Sequence, residues 1–295
     1  MSTELRNITE RKQQITPKTF GEYVGTNGVQ QIIKSVLGAD RINRFVTSIV
    51  SLVSNTQALQ ECTHKSIISA ALQGEALNLS PSSILGHFFL VPYKDRKNNT
   101  VTAQFQIGYK GYVQLAIRSG VYKRINVLAL KKGELISYNP LTEEIYVDLI
   151  TDEDVRESAE TVAYYAMFEL QNGFTKSILW SKEKMEKHAD KYSAAFSMQK
   201  KHDLDSGKIQ ASEAWKYSSY WYKSFDEMAY KTLLRQLISK WGIMSIDMQQ
   251  AFEVDQTAEV NNENVFIDSS QHIGIKESIE SEFFGDYEND KNNAY

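Results

Sequence analysis

Lysine, arginine and tyrosine recur along one glycine-punctuated stretch of this chain, and that mixture can bind a phosphate backbone with its bases. The stretch runs through Leu85-Gly86-His87-Phe88-Phe89-Leu90-Val91-Pro92-Tyr93-Lys94, then Gln104-Phe105-Gln106-Ile107-Gly108-Tyr109-Lys110-Gly111-Tyr112, then Leu115-Ala116-Ile117-Arg118-Ser119-Gly120. Lys94, Lys97, Lys110, Arg118, Lys123 and Arg124 can neutralise phosphates, and a base can stack on Tyr109 or Tyr112. Gly108 and Gly111 are expected to leave the backbone open around Tyr109 and Lys110. A helix starting there would add free amides and a dipole that attract phosphate. Nothing in the stretch resembles a reader of base edges, so the binding expected is sequence-tolerant. The ordinary alternative for each tyrosine is core packing with its hydroxyl satisfied. For Lys94 and Lys97 it is a solvated hairpin tip.

Two further groups lie downstream. Lys223, Lys231 and Arg235 are spaced by four and eight residues, which puts them near one face of a helix. Trp215, Tyr217, Tyr220, Trp221 and Tyr222 precede them, and core or subunit contact is the expected use of that cluster. Phe196, Met198, Lys200 and Lys201 mix apolar side chains with cations and could wedge between bases.

Other chemistries lack their residues. Gly207-Lys208 is followed by Ile209 and has no upstream partner glycine, so the chain has no phosphate-binding loop for ATP. The five histidines are widely spaced, and Cys62-Thr63-His64 does not match a zinc site. A nuclease needs converging carboxylates. The densest ones, Glu143, Glu144, Asp148, Asp152, Glu153 and Asp154, read as an acidic surface on a loop-like segment. No Gly-x-Ser-x-Gly turn presents a nucleophile.

The elements that must position these residues follow from periodicity. Helices are predicted over 29–37, over 40–53 with Asp40 as N-cap, and over 65–77. Phe88 to Tyr93 and the alternating Val101 to Ile107 form a predicted hairpin across Asn98-Asn99. A short helix over 112–118 follows, then strands over 121–130, 135–138 and 145–149. A second hairpin joins 161–170 to 174–180 across Asn172-Gly173. Ser181 opens a helix to Lys191, the stretch from Ser197 to Lys208 looks flexible, and one long helix covers roughly 220–241. Helices, then strands, then helices predict an α+β class with an antiparallel sheet packed by helices. The domain reading is a flexible segment over 1–27, a folded unit over 28–254, and an acidic, largely disordered tail over 255–295.

The 295 residues are 42% hydrophobic and 24% charged, with one cysteine, which excludes a disulfide framework. No apolar run approaches a membrane span, and the N-terminus lacks a secretory pattern, so a cytoplasmic protein without membrane partners is expected. The net charge of −4 speaks against nucleic acid until its distribution is seen. Residues 87–132 hold nine basic side chains and one acidic, a net of +8; residues 133–160 hold nine acidic and one basic, a net of −8. Residues 255–295 also carry −8. Such block asymmetry matters more for partners than the total.

The Leu85–Lys94 run, Ile107-Gly108-Tyr109-Lys110-Gly111-Tyr112 and Ala116-Ile117-Arg118-Ser119-Gly120 resemble the signature of RecT-type phage single-strand annealing proteins. Phe225-Asp226-Glu227-Met228-Ala229-Tyr230-Lys231-Thr232-Leu233-Leu234-Arg235 resembles that family's second motif. The resemblance spans roughly Ser66 to Trp241. It implies ATP-independent annealing of complementary strands in a bacterial host, with single-stranded DNA and the new duplex as ligands. It implies assembly into rings or helical filaments and a partner exonuclease. It also points to Tyr109, Lys110, Arg118, Lys231 and Arg235 as groove residues. No cofactor is implied beyond magnesium as an aid to pairing. The tail, with Ile273, Ile275, Ile279, Phe283 and Phe284, could dock the exonuclease or a host single-strand-binding protein. The competing readings are a strand-coating protein that does not anneal, a metal-dependent nuclease, and a structural oligomer.

Overall fold

The computed structural model describes residues 19–82, 84–95, 99–217 and 219–260. Five helices open the fold: α1 (Phe20–Val24), α2 (Asn27–Leu37), α3 (Ile42–Ser54), α4 (Gln57–Gln60) and α5 (His64–Ala76). α1 falls inside the segment expected to be flexible. Thr19 and Glu22 form a reciprocal capping box, and Phe20 and Val24 are buried. Asp40 is not the cap of α3. Arg41 holds that position and turns its guanidinium to Glu75 at 2.6 Å.

The hairpin of β1 (Phe88–Asp95) and β2 (Thr100–Ile107) forms in the register Phe88↔Ile107 to Asp95↔Thr100. Its tip, with Lys97, lies outside the described residues. α6 (Tyr109–Arg118) begins three residues earlier than expected, directly after β2. Next come β3 (Tyr122–Lys131), β4 (Leu135–Asn139), β5 (Glu144–Val147), α7 (Glu153–Ser158), β6 (Thr161–Leu170) and β7 (Thr175–Ser181). The strands build three antiparallel sheets: β1-β2, β3-β6-β7 and the separate hairpin β4-β5. The class is α+β, as the element order implied.

α8 (Lys182–Tyr192) starts at Ser181, whose hydroxyl accepts from the Lys184 amide at 3.2 Å. The stretch expected to be flexible contains α9 (Met198–Asp205), followed by a 3-10 turn, Ala211–Lys216. The single long helix expected over 220–241 is two, α10 (Tyr220–Lys223) and α11 (Phe225–Trp241). Ser224, at φ −144° and ψ 59°, breaks them. α11 lies across the β3-β6-β7 sheet beside α8, and Tyr164 of β6 donates to Asp226 at 2.6 Å.

α12 (Ile246–Val260) closes the fold against β2 and α6. Met248, Ala251 and Phe252 are buried, and Asp255 has no exposed surface. Its carboxylate accepts from Lys231 Nζ at 2.8 Å, the Tyr112 hydroxyl at 3.0 Å and the Ile107 amide at 3.3 Å. Arg235 stands 3.8 Å away. The tail boundary that charge places at 254/255 therefore cuts a packed helix between its ninth and tenth residues.

A buried ion pair that loses one partner costs roughly 3–5 kcal/mol, because the remaining charge stays desolvated. A chain ending at Phe252 is thus expected to be less stable by at least about 3 kcal/mol than one ending at Val260. Equal denaturant midpoints for the two truncations would refute the anchoring role of Asp255.

Candidate nucleic-acid interface

Two adjoining clefts meet at Gln106, Tyr220, Met228 and Lys231. The smaller, about 130 Å³, lies between Gly86 and the start of α6 and includes Tyr109, Lys110 and Glu227. The larger, about 660 Å³, runs between β1, the C-terminal half of α8, α10 and α11. Lys216, Lys223, Lys231, Arg235 and His188 line it, and among the described residues no carboxylate does. Tyr93, Tyr192, Tyr220 and Trp221 supply aromatic surface.

Tyr109, Lys110, Lys223, Lys231 and Arg235, five of the residues read from the sequence, are brought together here from positions more than a hundred residues apart. Lys231 and Arg235 sit one turn apart on α11. Lys231 is only 6% exposed and is held by Asp255, which lines neither cleft. Tyr109 packs edge-on to Tyr230 at 5.4 Å, and the Lys110 ammonium lies 5.9 Å from the Tyr109 ring centroid. Burial, then the charge of Glu227, raises the Tyr109 phenol above its usual range, so the ring stays neutral.

The other candidates lie elsewhere. Tyr112 is fully buried, with its ring on Phe252 at 4.9 Å and its hydroxyl on Asp255, so no base can reach it. Phe196 is buried against Tyr222 and Trp221, which leaves no face to insert between bases. Met198, half-buried, packs on the same core; Lys200 is exposed and Lys201 pairs with Asp205 at 2.6 Å. Lys123 and Arg124 both reach Glu169, at 2.5 and 3.2 Å. Lys94 is exposed on β1, and Lys97 lies outside the described residues. Arg118 donates to the Leu77 and Asn78 carbonyls at 2.6 and 2.9 Å, closing the end of α5. Gly108 and Gly111 do not open the backbone. A Cβ at either would collide with the Gly86 or His87 carbonyl oxygen, so these glycines permit the close approach that seats Tyr109 and Lys110.

Sequence reasoning missed Tyr93, Gln106, His188 and Tyr192, and assigned Tyr220 and Trp221 to core or subunit contact. Trp221 is indeed buried, while Tyr220 is 42% exposed in the cleft wall. The spacing of His188 and Tyr192, four residues apart in a helix, was the available signal for that pair. Burial, then Arg235, Lys184 and Lys191, lowers the His188 pKa, so its ring is neutral near pH 7 amid cations. Among the acidic block, Glu143 binds Lys176 and the Ser177 amide, Glu134 pairs with Arg156 at 2.6 Å, and Asp152 caps α7. Among the described residues no three His, Cys, Asp or Glu side chains converge as a metal site.

These placements separate two residues that look alike in sequence. Lys110→Ala is expected to leave stability unchanged and to lower the salt slope of single-strand binding by about 0.7. Arg118→Ala should instead cost about 1–3 kcal/mol of stability with the slope retained. Denaturation and salt-titrated fluorescence anisotropy check both; a reversed pattern would refute the placement.

The model of the RecT family matches residues 43–268. The chain is 37% identical to the Bacillus subtilis protein YqaK over 287 residues, 94% of this chain and 88% of that protein. It is 28% identical to Protein RecT of Escherichia coli over 220 residues, 74% of this chain and 71% of that protein. The match covers both sequence motifs and every cleft-lining residue on α6, α8, α10 and α11. The chain therefore belongs to the RecT family, a membership that supports a single-strand annealing role in recombination.

Proposed function

We propose that this protein binds single-stranded DNA in the paired clefts and anneals it to a complementary strand without ATP, acting as a homo-oligomer. The larger cleft carries the reading, because among the described residues cations and aromatic rings line it and no carboxylate does. Two strands repel through their phosphates. A basic cleft that takes one backbone removes part of that repulsion, and rings that hold bases apart leave their pairing edges free. Pairing then supplies the specificity. Stacking in the new duplex, about 1.4 kcal/mol per step, supplies the driving force. No hydrolysis is needed on this route.

The assembly is proposed to be head-to-tail, the arrangement that generates rings or filaments. The β4-β5 hairpin supports this, with Ile136, Leu141 and Tyr146 exposed beside Glu144 and Asp148. An apolar surface with an acidic rim suits a basic partner face. The tail is proposed to dock an exonuclease or a single-strand-binding protein; its apolar residues from Ile273 to Phe284 lie outside the described residues.

Purified protein is expected to pair complementary fluorescent strands equally fast with and without ATP. Strand coating with no pairing would overturn annealing, and dependence on a hydrolysable nucleotide would overturn the energetic route. Reversing Glu144 and Asp148 to lysine, with the structural Glu143 kept, should lower the mass measured by light scattering in low salt. An unaltered mass would remove the hairpin from the contact.

A further inference from the structure

The larger cleft and the C-terminal segment of this same chain carry complementary chemistry. Residues 277–290 hold six carboxylates, Glu277, Glu280, Glu282, Asp286, Glu288 and Asp290, and no lysine or arginine. Phe283, Phe284 and Tyr287 lie among them. Negative charges interleaved with flat rings are also the chemistry of a single strand, in which phosphates alternate with bases. The cleft matches both parts. Lys216, Lys223, Lys231 and Arg235 line it beside the exposed rings of Tyr192 and Tyr220.

The path of α12 delivers the segment to the clefts. Asp247, in the first turn of α12, lies 3.6 Å from Arg118 at the end of α6. Asp255, about two turns later, meets Ile107 and Tyr112 at the start of α6. α12 therefore runs antiparallel to α6 and heads toward Tyr109 and Lys110, which line the smaller cleft. Val260 ends it, about 7.5 Å further along the helix axis than Asp255. Residues 261–276 can then span up to about 50 Å, against roughly 30 Å for the width of a small domain. The six carboxylates are within reach of every cation in the larger cleft. The first acid of this C-terminal run already binds two of those cations from behind the wall: Asp255 lies 2.8 Å from Lys231 Nζ and 3.8 Å from Arg235.

We propose that residues 277–290 occupy the larger cleft when no DNA is bound, with their carboxylates on its lysines and Phe283, Phe284 and Tyr287 against its rings. The proposal rests on the single-strand reading of the cleft and adds its regulation. A DNA strand must displace the segment, and a partner protein that takes the segment opens the cleft. Tethering makes a weak contact sufficient. At an effective concentration on the order of 1 mM, a segment that binds at about 0.2 mM leaves the cleft open about a sixth of the time and weakens DNA binding about sixfold.

The test measures oligothymidylate binding by fluorescence anisotropy in low salt, with the full chain in three forms. They are wild type, a charge variant (Glu280→Gln, Glu282→Gln, Asp286→Asn, Glu288→Gln) and a ring variant (Phe283→Ser, Phe284→Ser, Tyr287→Ser). No substituted residue lines either cleft. Both variants are expected to bind about sixfold tighter than wild type, with the gain fading as salt screens the charges. The ring variant keeps every charge, so simple repulsion of DNA by an acidic tail would leave it at wild-type affinity. A labelled peptide of residues 277–290 should bind the ring variant saturably and be displaced by oligothymidylate. Wild-type affinity in either variant would overturn the proposal and leave the cleft reading standing. A peptide that does not bind, or that DNA does not displace, would do the same. Failure of all three forms to bind oligothymidylate would instead remove the single-strand reading itself.

Discussion

A buried carboxylate sets the arrangement of the whole interface. Asp255 has no contact with solvent, and a charge so placed is stable only when its oxygens are fully engaged. Its partners come from three other elements: the Ile107 amide at the end of β2, the Tyr112 hydroxyl on α6, and Lys231 and Arg235 on α11. Those elements also carry the clefts. Tyr109 and Lys110 lie between Ile107 and Tyr112 in the chain, and Lys231 lines both clefts. Exposed pairs such as Lys187–Glu183 contribute at most about 1 kcal/mol each, so they cannot set this geometry.

The site's electrostatics depend as much on where the acids go as on the cations. The +8 and −8 blocks of the sequence do not become two opposed surfaces. Lys123 and Arg124 leave the basic block for Glu169, and Arg118 is used on the carbonyls at the end of α5. In the acidic block Glu134 is buried with Arg156, and Glu143 clips its hairpin to β7. Among the described residues the larger cleft is lined by Lys216, Lys223, Lys231 and Arg235 and by no carboxylate, while Asp255 pairs with Lys231 and Arg235 and Glu213 with Lys216 outside its wall. A cleft of this kind attracts a polyanion without reading it, which suits a protein whose specificity comes from base pairing.

Most of the elements were legible in the sequence because their causes are local. Alternation over Val101–Ile107 marked a strand, Asn172-Gly173 marked the turn between β6 and β7, and Ser181 marked the start of α8. Each signal acts within about four residues, the reach of a helical turn or a hairpin. The two family motifs were legible for the same reason, as short runs of fixed residues.

Tertiary structure alone decided the roles of particular side chains. Tyr109 and Tyr112 are three residues apart with similar neighbours, yet one lines a cleft and the other is sealed under α12. Asp255 looks like the first residue of an acidic tail, and only the approach of Lys231 makes it a core residue. The meeting of Lys110 with Lys231, and of Tyr192 with Tyr93, joins segments that share no local pattern. Burial and ion pairing depend on which surfaces the whole chain brings together. A side chain's type fixes the chemistry it can perform, and its surroundings fix whether water, a counter-ion or a ligand meets it.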